Sequence, residues 1–104
     1  MEGYLVKRAM KSGRSWKKRY FVLNKTDCTL CYYKKNGDPT VRGIIPITKE
    51  TTVRVSSLQR SALEVKTGNI ILTAYASSDE ERDMWVSAIQ TMVRGTTRTA
   101  ASSS

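Results

Sequence analysis

The strongest constraint on the fold of this chain is a change of period near residue 78. Up to "YAS" the sequence is a series of short runs with apolar residues alternating at a spacing of two, separated by turn signals; after it, the spacing becomes that of one amphipathic helix. The runs are "GYLVKR", "WKKRYFVLN", "CTLCYYK", "VRGIIPI", "TTVRV", "ALEV" and "NIILTAY", seven in all. "KNGDPT" breaks the chain between the third and fourth, and "KTGN" joins the last two through a tight turn in which glycine takes a positive φ. A meander of short antiparallel strands that closes into a barrel or sandwich is the expected result.

Ser78 followed by Glu81 spells a capping box, and Asp79, Glu80 and Glu81 place negative charge where a helix dipole favours it. Trp85, Ala88, Ile89 and Met92 then fall on one stripe, leaving Arg82, Asp83, Ser87 and Gln90 for solvent. Gly95 is the expected stop, and "TTRTAASSS" has no core potential. The expected organisation is one domain over residues 1–95 and a disordered tail or linker over 96–104, with the helix plugging one open end through Trp85.

At 104 residues and 39% apolar content the chain supports one modest core. It has no run approaching the roughly 18 apolar residues of a membrane span and no signal-peptide pattern, so a soluble, intracellular protein is expected. Cys28 and Cys31 read as ordinary strand residues on opposite faces rather than as a disulfide. With no histidine and no third cysteine, no metal or other cofactor is expected.

Charge is the second constraint. Residues 1–45 carry eleven Lys/Arg against three Asp/Glu, whereas residues 46–104 carry seven against six, so nearly all of the net +9 belongs to the first half. Such a field implies an anionic partner: a phospholipid surface, nucleic acid or an acidic protein. In "WKKRYFVL" the residues Lys17, Arg19, Phe21 and Leu23 share one face, and that face ends in the core. Pairing Leu23 with Cys28 would set Phe21 against Leu30 and Arg19 against Tyr32. Lys7 has the inward parity of Leu5, so Lys7, Lys17 and Arg19 converge at one end of the first hairpin. Like charges on adjacent strands cost about 0.2–1 kcal/mol a pair, a cost that a polyphosphate would relieve. Solvated charges guarding a strand end are the competing explanation.

"EGYLVK", nine residues, "KKRYFVL", then "LCYYK", "RGIIPI" and a final helix with Trp85 together resemble a pleckstrin homology domain over residues 2 to 94. The resemblance implies a mainly β fold: a seven-stranded antiparallel barrel or sandwich of two near-orthogonal sheets capped by one C-terminal α-helix. In phosphoinositide-binding members a basic motif lines the open end. Here it resembles Lys7, Lys17, Arg19 and Tyr32, with Arg42 standing where some binders of 3-phosphorylated lipids carry another contact. Lys7 and Arg19 would grip the deepest phosphates, Lys17 would flank them and Tyr32 would donate its hydroxyl. The loop "RAMKSGRS" would bring Arg8, Lys11 and Arg14 toward anionic lipid, while the sixth and seventh strands offer only a short turn with Lys66.

The implied function is a cytoplasmic signalling module recruited peripherally to the membrane, the plasma membrane first, by phosphoinositides, and carried within a larger multidomain protein. The alternative is a protein-interaction module with only nonspecific attraction to anionic lipid. Nucleic acid is not an expected specific partner, because aromatics are only 8% and no stacking motif stands out. Catalysis is not expected either, since no phosphate loop or carboxylate pair stands near a nucleophile.

Overall fold

The computed structural model describes residues 1–8 and 15–102, with side chains through residue 96. Seven strands are followed by one helix: β1 (Glu2–Arg8), β2 (Trp16–Asn24), β3 (Thr29–Tyr33), β4 (Val41–Pro46), β5 (Thr52–Ser56), β6 (Ala62–Thr67), β7 (Ile70–Tyr75) and α1 (Asp79–Ser102). All pairings are antiparallel, in the order β4-β3-β2-β1-β7-β6-β5. Every run read from the sequence is therefore a strand. The halves β1–β4 and β5–β7 form one hydrogen-bonded sheet, and among the described residues they meet through two residue pairs, Val6 with Tyr75 and Lys7 with Ala74.

The alternation of the strands decides what is buried. Leu5, Phe21, Leu23, Leu30 and Ile45 point inward from the first half, and Val53, Leu63, Val65, Leu72 and Ala74 from the second. Trp85, Ile89 and Met92 of α1 fill the space between them, with Trp85 only 1% exposed. Ser78 caps the helix as its position predicts, its Oγ accepting the Glu81 amide at 3.1 Å. The reciprocal half of the box is replaced: the Glu81 carboxylate accepts from the Ser77 hydroxyl at 2.7 Å. Gly68 has a φ of 56° in the two-residue turn between β6 and β7, as the "KTGN" spelling requires.

Four expectations are corrected. The β2–β3 register differs by two residues: Leu23 pairs with Leu30 and Phe21 with Tyr32, so Arg19 does not oppose Tyr32. The cause is the turn. The Asn24 side-chain oxygen accepts the amides of Thr26 and Asp27 at 2.9 and 3.1 Å, and Cys28 takes a φ of 55°, so Cys28 belongs to the turn and not to the strand. Because the shift is two residues, every side chain keeps its face.

On α1, Arg82 is half-buried, donating to Asp79 at 3.4 Å and Asp83 at 2.9 Å, and Gln90 is half-buried too; only Asp83 and Ser87 of the expected solvent set are exposed. Finally, the helix does not stop at Gly95. It continues to Ser102, without the positive φ that a glycine cap needs, and the Thr96 hydroxyl donates to the Val93 carbonyl at 2.7 Å.

Candidate headgroup site

The basic residues of the first hairpin are placed by strand alternation. Gly3, Leu5 and Lys7 lie on the inner face of β1; Lys17, Arg19 and Phe21 lie on the inner face of β2. Lys7 sits directly across from Lys17, and Arg19 across from Leu5. The core thus ends at Leu5 and Phe21, and the next inward positions are all cations. Lys7 is 8% exposed, an unusual depth for a lysine. Burial, followed by the charges of Arg19 and Lys17, holds its ammonium below the ordinary 10.5.

The Lys7 ammonium lies 5.0 Å from the centroid of the Tyr32 ring, so its chain stretches across β2 to reach β3. A cation on the face of an aromatic ring offsets part of its desolvation. It does not neutralise it. Among the described residues, the ion pairs are Arg54 with Glu64 and Arg82 with Asp79 and Asp83, so no carboxylate pairs with Lys7, Lys17, Arg19 or Arg42. Arg19 turns one guanidinium nitrogen to the Lys18 carbonyl at 2.9 Å, which fixes the fork without discharging it.

Tyr32 owes its position to Gly43 on the neighbouring strand. One row across the inner face reads Gly3, Phe21, Tyr32, Gly43. A Cβ on Gly43 would lie 2.3–2.5 Å from atoms of the Tyr32 ring, so the ring occupies the space that the missing side chain leaves. At the other end, a Cβ on Gly3 would touch Trp85 at 3.8 Å. Phe21 joins the two ends, with ring centroids 5.2 Å from Tyr32 and 6.4 Å from Trp85. An aromatic line therefore runs from the capping helix through the core to Lys7. A glycine inside a strand pattern signals close approach, and that was the available clue in "RGIIPI".

Arg42 is the extra residue of a bulge: Tyr32 pairs with Gly43 but Tyr33 with Val41. It is exposed and released from the ladder, which is how bulges re-aim a side chain. Arg8 lies on the other face of β1, half-buried, across from Trp16, and does not join the inner cluster. Lys11 and Arg14 lie outside the described residues. The structure thus brings together Lys7, Lys17, Arg19 and Tyr32 of the expected site, with Arg42 on the adjoining strand edge. It also sets Lys18 on the outer face, 4.8 Å above the Tyr4 ring.

A sheet of seven antiparallel strands, one helix entering it through a tryptophan, and a cationic mouth define a class, and comparison with known proteins gives it a family. The family model described as "Pleckstrin homology domain" matches residues 1–98, and the chain belongs to that family. The C-terminal PH domain of pleckstrin in complex with D-myo-Ins(1,2,3,5,6)P5 superposes with a TM-score of 0.82 at 26% identity, over 89% of this chain and 93% of that one. Among sequences, "Differentially expressed in FDCP 6 homolog" of Xenopus laevis is 34% identical over 96 residues, covering 89% of this chain and 16% of its own. The human cytoplasmic tyrosine-protein kinase BMX is 29% identical over 106 residues, covering 91% of this chain and 16% of its own. The chain thus spans under a fifth of the length of these curated relatives.

Proposed function

We propose that this domain is a phosphoinositide-binding, membrane-targeting module that recognises a headgroup with adjacent phosphates, the 3-phosphorylated lipids foremost. The observation that carries this reading is the buried, unneutralised ammonium of Lys7 beside Lys17 and Arg19. Such a cluster opposes folding, so a polyanion that binds it gains both the direct contacts and the relief of repulsion. The structural neighbour that holds an inositol pentakisphosphate supports the same chemistry.

In this reading Arg19 forks onto one phosphate, Lys7 closes on it from the pocket floor and Lys17 flanks its neighbour. The Tyr32 hydroxyl donates to a phosphate oxygen, and Arg42 reaches the 3-phosphate from the bulge. Arg8 faces away from the pocket and serves, with Lys11 and Arg14, to hold the domain against anionic lipid, each basic group adding about 1 kcal/mol near the surface. The domain acts as a binding part of a larger protein, drawn from the cytoplasm to the plasma membrane when its lipid is made.

Cosedimentation with vesicles carrying each phosphoinositide in turn, at near-physiological salt, tests the proposal. Selective binding that disappears in a folded Arg19→Ala variant supports it. Binding that follows vesicle charge alone, or survives Arg19→Ala, replaces it with a protein-interaction module that is merely attracted to anionic surfaces.

A further inference from the structure

β1 is paired along its whole length with β2, but, among the described residues, with β7 at Val6 and Lys7 alone. β7 ends at Tyr75 and the chain turns into α1, so among the described residues Gly3, Tyr4 and Leu5 have no strand on that side. Between this free half of β1 and the first turns of α1 lies an open cleft of about 950 Å³. It lies over the buried Leu5 and Trp85, Val6 stands at its side, and the exposed Met1 and Met84 stand at its margin.

The charge of the cleft is opposite to that of the domain. In a chain of net charge +9, four of the nine acidic residues fall between 79 and 83. Glu2, Glu80 and Glu81 line the cleft against a single lysine, Lys18, which rests on the Tyr4 ring. Glu2 accepts from the Tyr20 hydroxyl and Glu81 from the Ser77 hydroxyl, so both carboxylates are held in place. Glu80 is exposed and engages no side chain among the described residues.

We propose that this cleft is a docking groove for a basic, extended segment of a protein partner, taken up by adding a strand to the free half of β1. Strand geometry specifies the partner. Alternate side chains of an added strand point to opposite faces, so apolar residues would meet the exposed Met1 and Met84 side chains, and lysines or arginines between them would meet the carboxylates. Methionine suits such a surface because its thioether adapts to varied shapes. Anionic lipid and nucleic acid are repelled by the same carboxylates. The positive field of the headgroup site is screened beyond roughly 8 Å at physiological salt, so it does not forbid a basic partner here. Tyr4 and Val6, which border the cleft, alternate with Leu5 and Lys7, so a domain holding a headgroup keeps this groove free for a second ligand.

Titration of the isotopically labelled domain with a short peptide alternating lysine and valine, and with its glutamate counterpart, tests the groove by amide NMR. The expected result is saturable shifts at Gly3–Leu5 and Ser77–Trp85, with slowed amide exchange along Gly3–Leu5, from the lysine peptide alone. Glu80→Lys, checked for retained fold, weakens that binding about fivefold, as for loss and reversal of an exposed pair, while Arg19→Ala leaves it unchanged. Shifts confined to the Lys17–Arg19 mouth, equal response to both peptides, or no saturable response overturns the proposal. Concentration-dependent shifts at the groove without peptide overturn it as well, assigning the surface to a second copy of the chain.

Discussion

The two ends of the aromatic line, Trp85 and Lys7, are both almost completely buried, and they are buried for opposite reasons. At the capped end, helix period, cap chemistry and packing agree: Ser78 starts the helix, the stripe points inward, and Trp85 meets Phe21 and the space beside Gly3. At the mouth, pattern and packing disagree. The inward positions that follow Leu5 and Phe21 are Lys7, Lys17 and Arg19, held together without a counter-charge among the described residues. Agreement across levels marks what holds the fold, and disagreement marks where a functional site is to be sought.

Substitutions at the two ends should therefore separate stability from binding. The largest effect is expected for Trp85→Ala, which removes the residue that closes the core and should cost about 3–5 kcal/mol in denaturant unfolding. Next comes Arg19→Ala, expected to weaken binding of a soluble inositol polyphosphate by about 2 kcal/mol, roughly thirtyfold by calorimetry, while the melting temperature holds or rises.

Gly43→Ala sharpens the comparison because it acts on the mouth through the core. The new Cβ would force the Tyr32 ring aside, at a cost of about 1–3 kcal/mol in stability, and would loosen headgroup binding. In a Tyr32→Ala background the same change should cost little, a coupling that a double-mutant cycle measures directly. A full effect of Gly43→Ala in both backgrounds would mean that strand propensity, and not the ring, is what the glycine serves.

The pH dependence is the smallest effect expected. Lys7 titrates below 10.5 when folded, so in the interval between its folded value and 10.5 the unfolded chain binds more protons, and the contribution of Lys7 to stability improves as pH rises. Headgroup binding should move the other way, weakening with alkalinity as Lys7 loses its proton. Parallel melts and binding titrations across alkaline pH, with Lys7→Met as the reference that lacks both trends, check the sign.

Most of the fold was legible because its signals are local. Alternation gave each strand, and Ser78 with its acidic successors gave the helix start. The β2–β3 register was not legible, since it depends on Asn24 folding back on Thr26 and Asp27 and on the positive φ of Cys28, neither of which alters hydrophobic period. Gly95 misled because glycine terminates a helix only where the chain takes up the left-handed cap, and here it does not.

At the site, parity alone brought Lys7, Lys17 and Arg19 together, and it survived the register error because that error was an even number of residues. The same alternation sets Arg8 on the opposite face of β1, where the structure has it. What parity could not reveal is how Tyr32 comes to lie under the Lys7 ammonium. That required Gly43 to leave room for the Tyr32 ring, which only the pairing of β3 with β4 displays.

The claim at the centre of this account is that Lys7 opposes folding and serves binding. Thermal unfolding of Lys7→Met without ligand, together with calorimetric titration of the same protein with inositol 1,3,4,5-tetrakisphosphate, tests it most directly. The account predicts a variant at least as stable as wild type, by up to about 1 kcal/mol, that binds at least about tenfold more weakly. A variant that unfolds more readily and binds the headgroup as wild type does would contradict it.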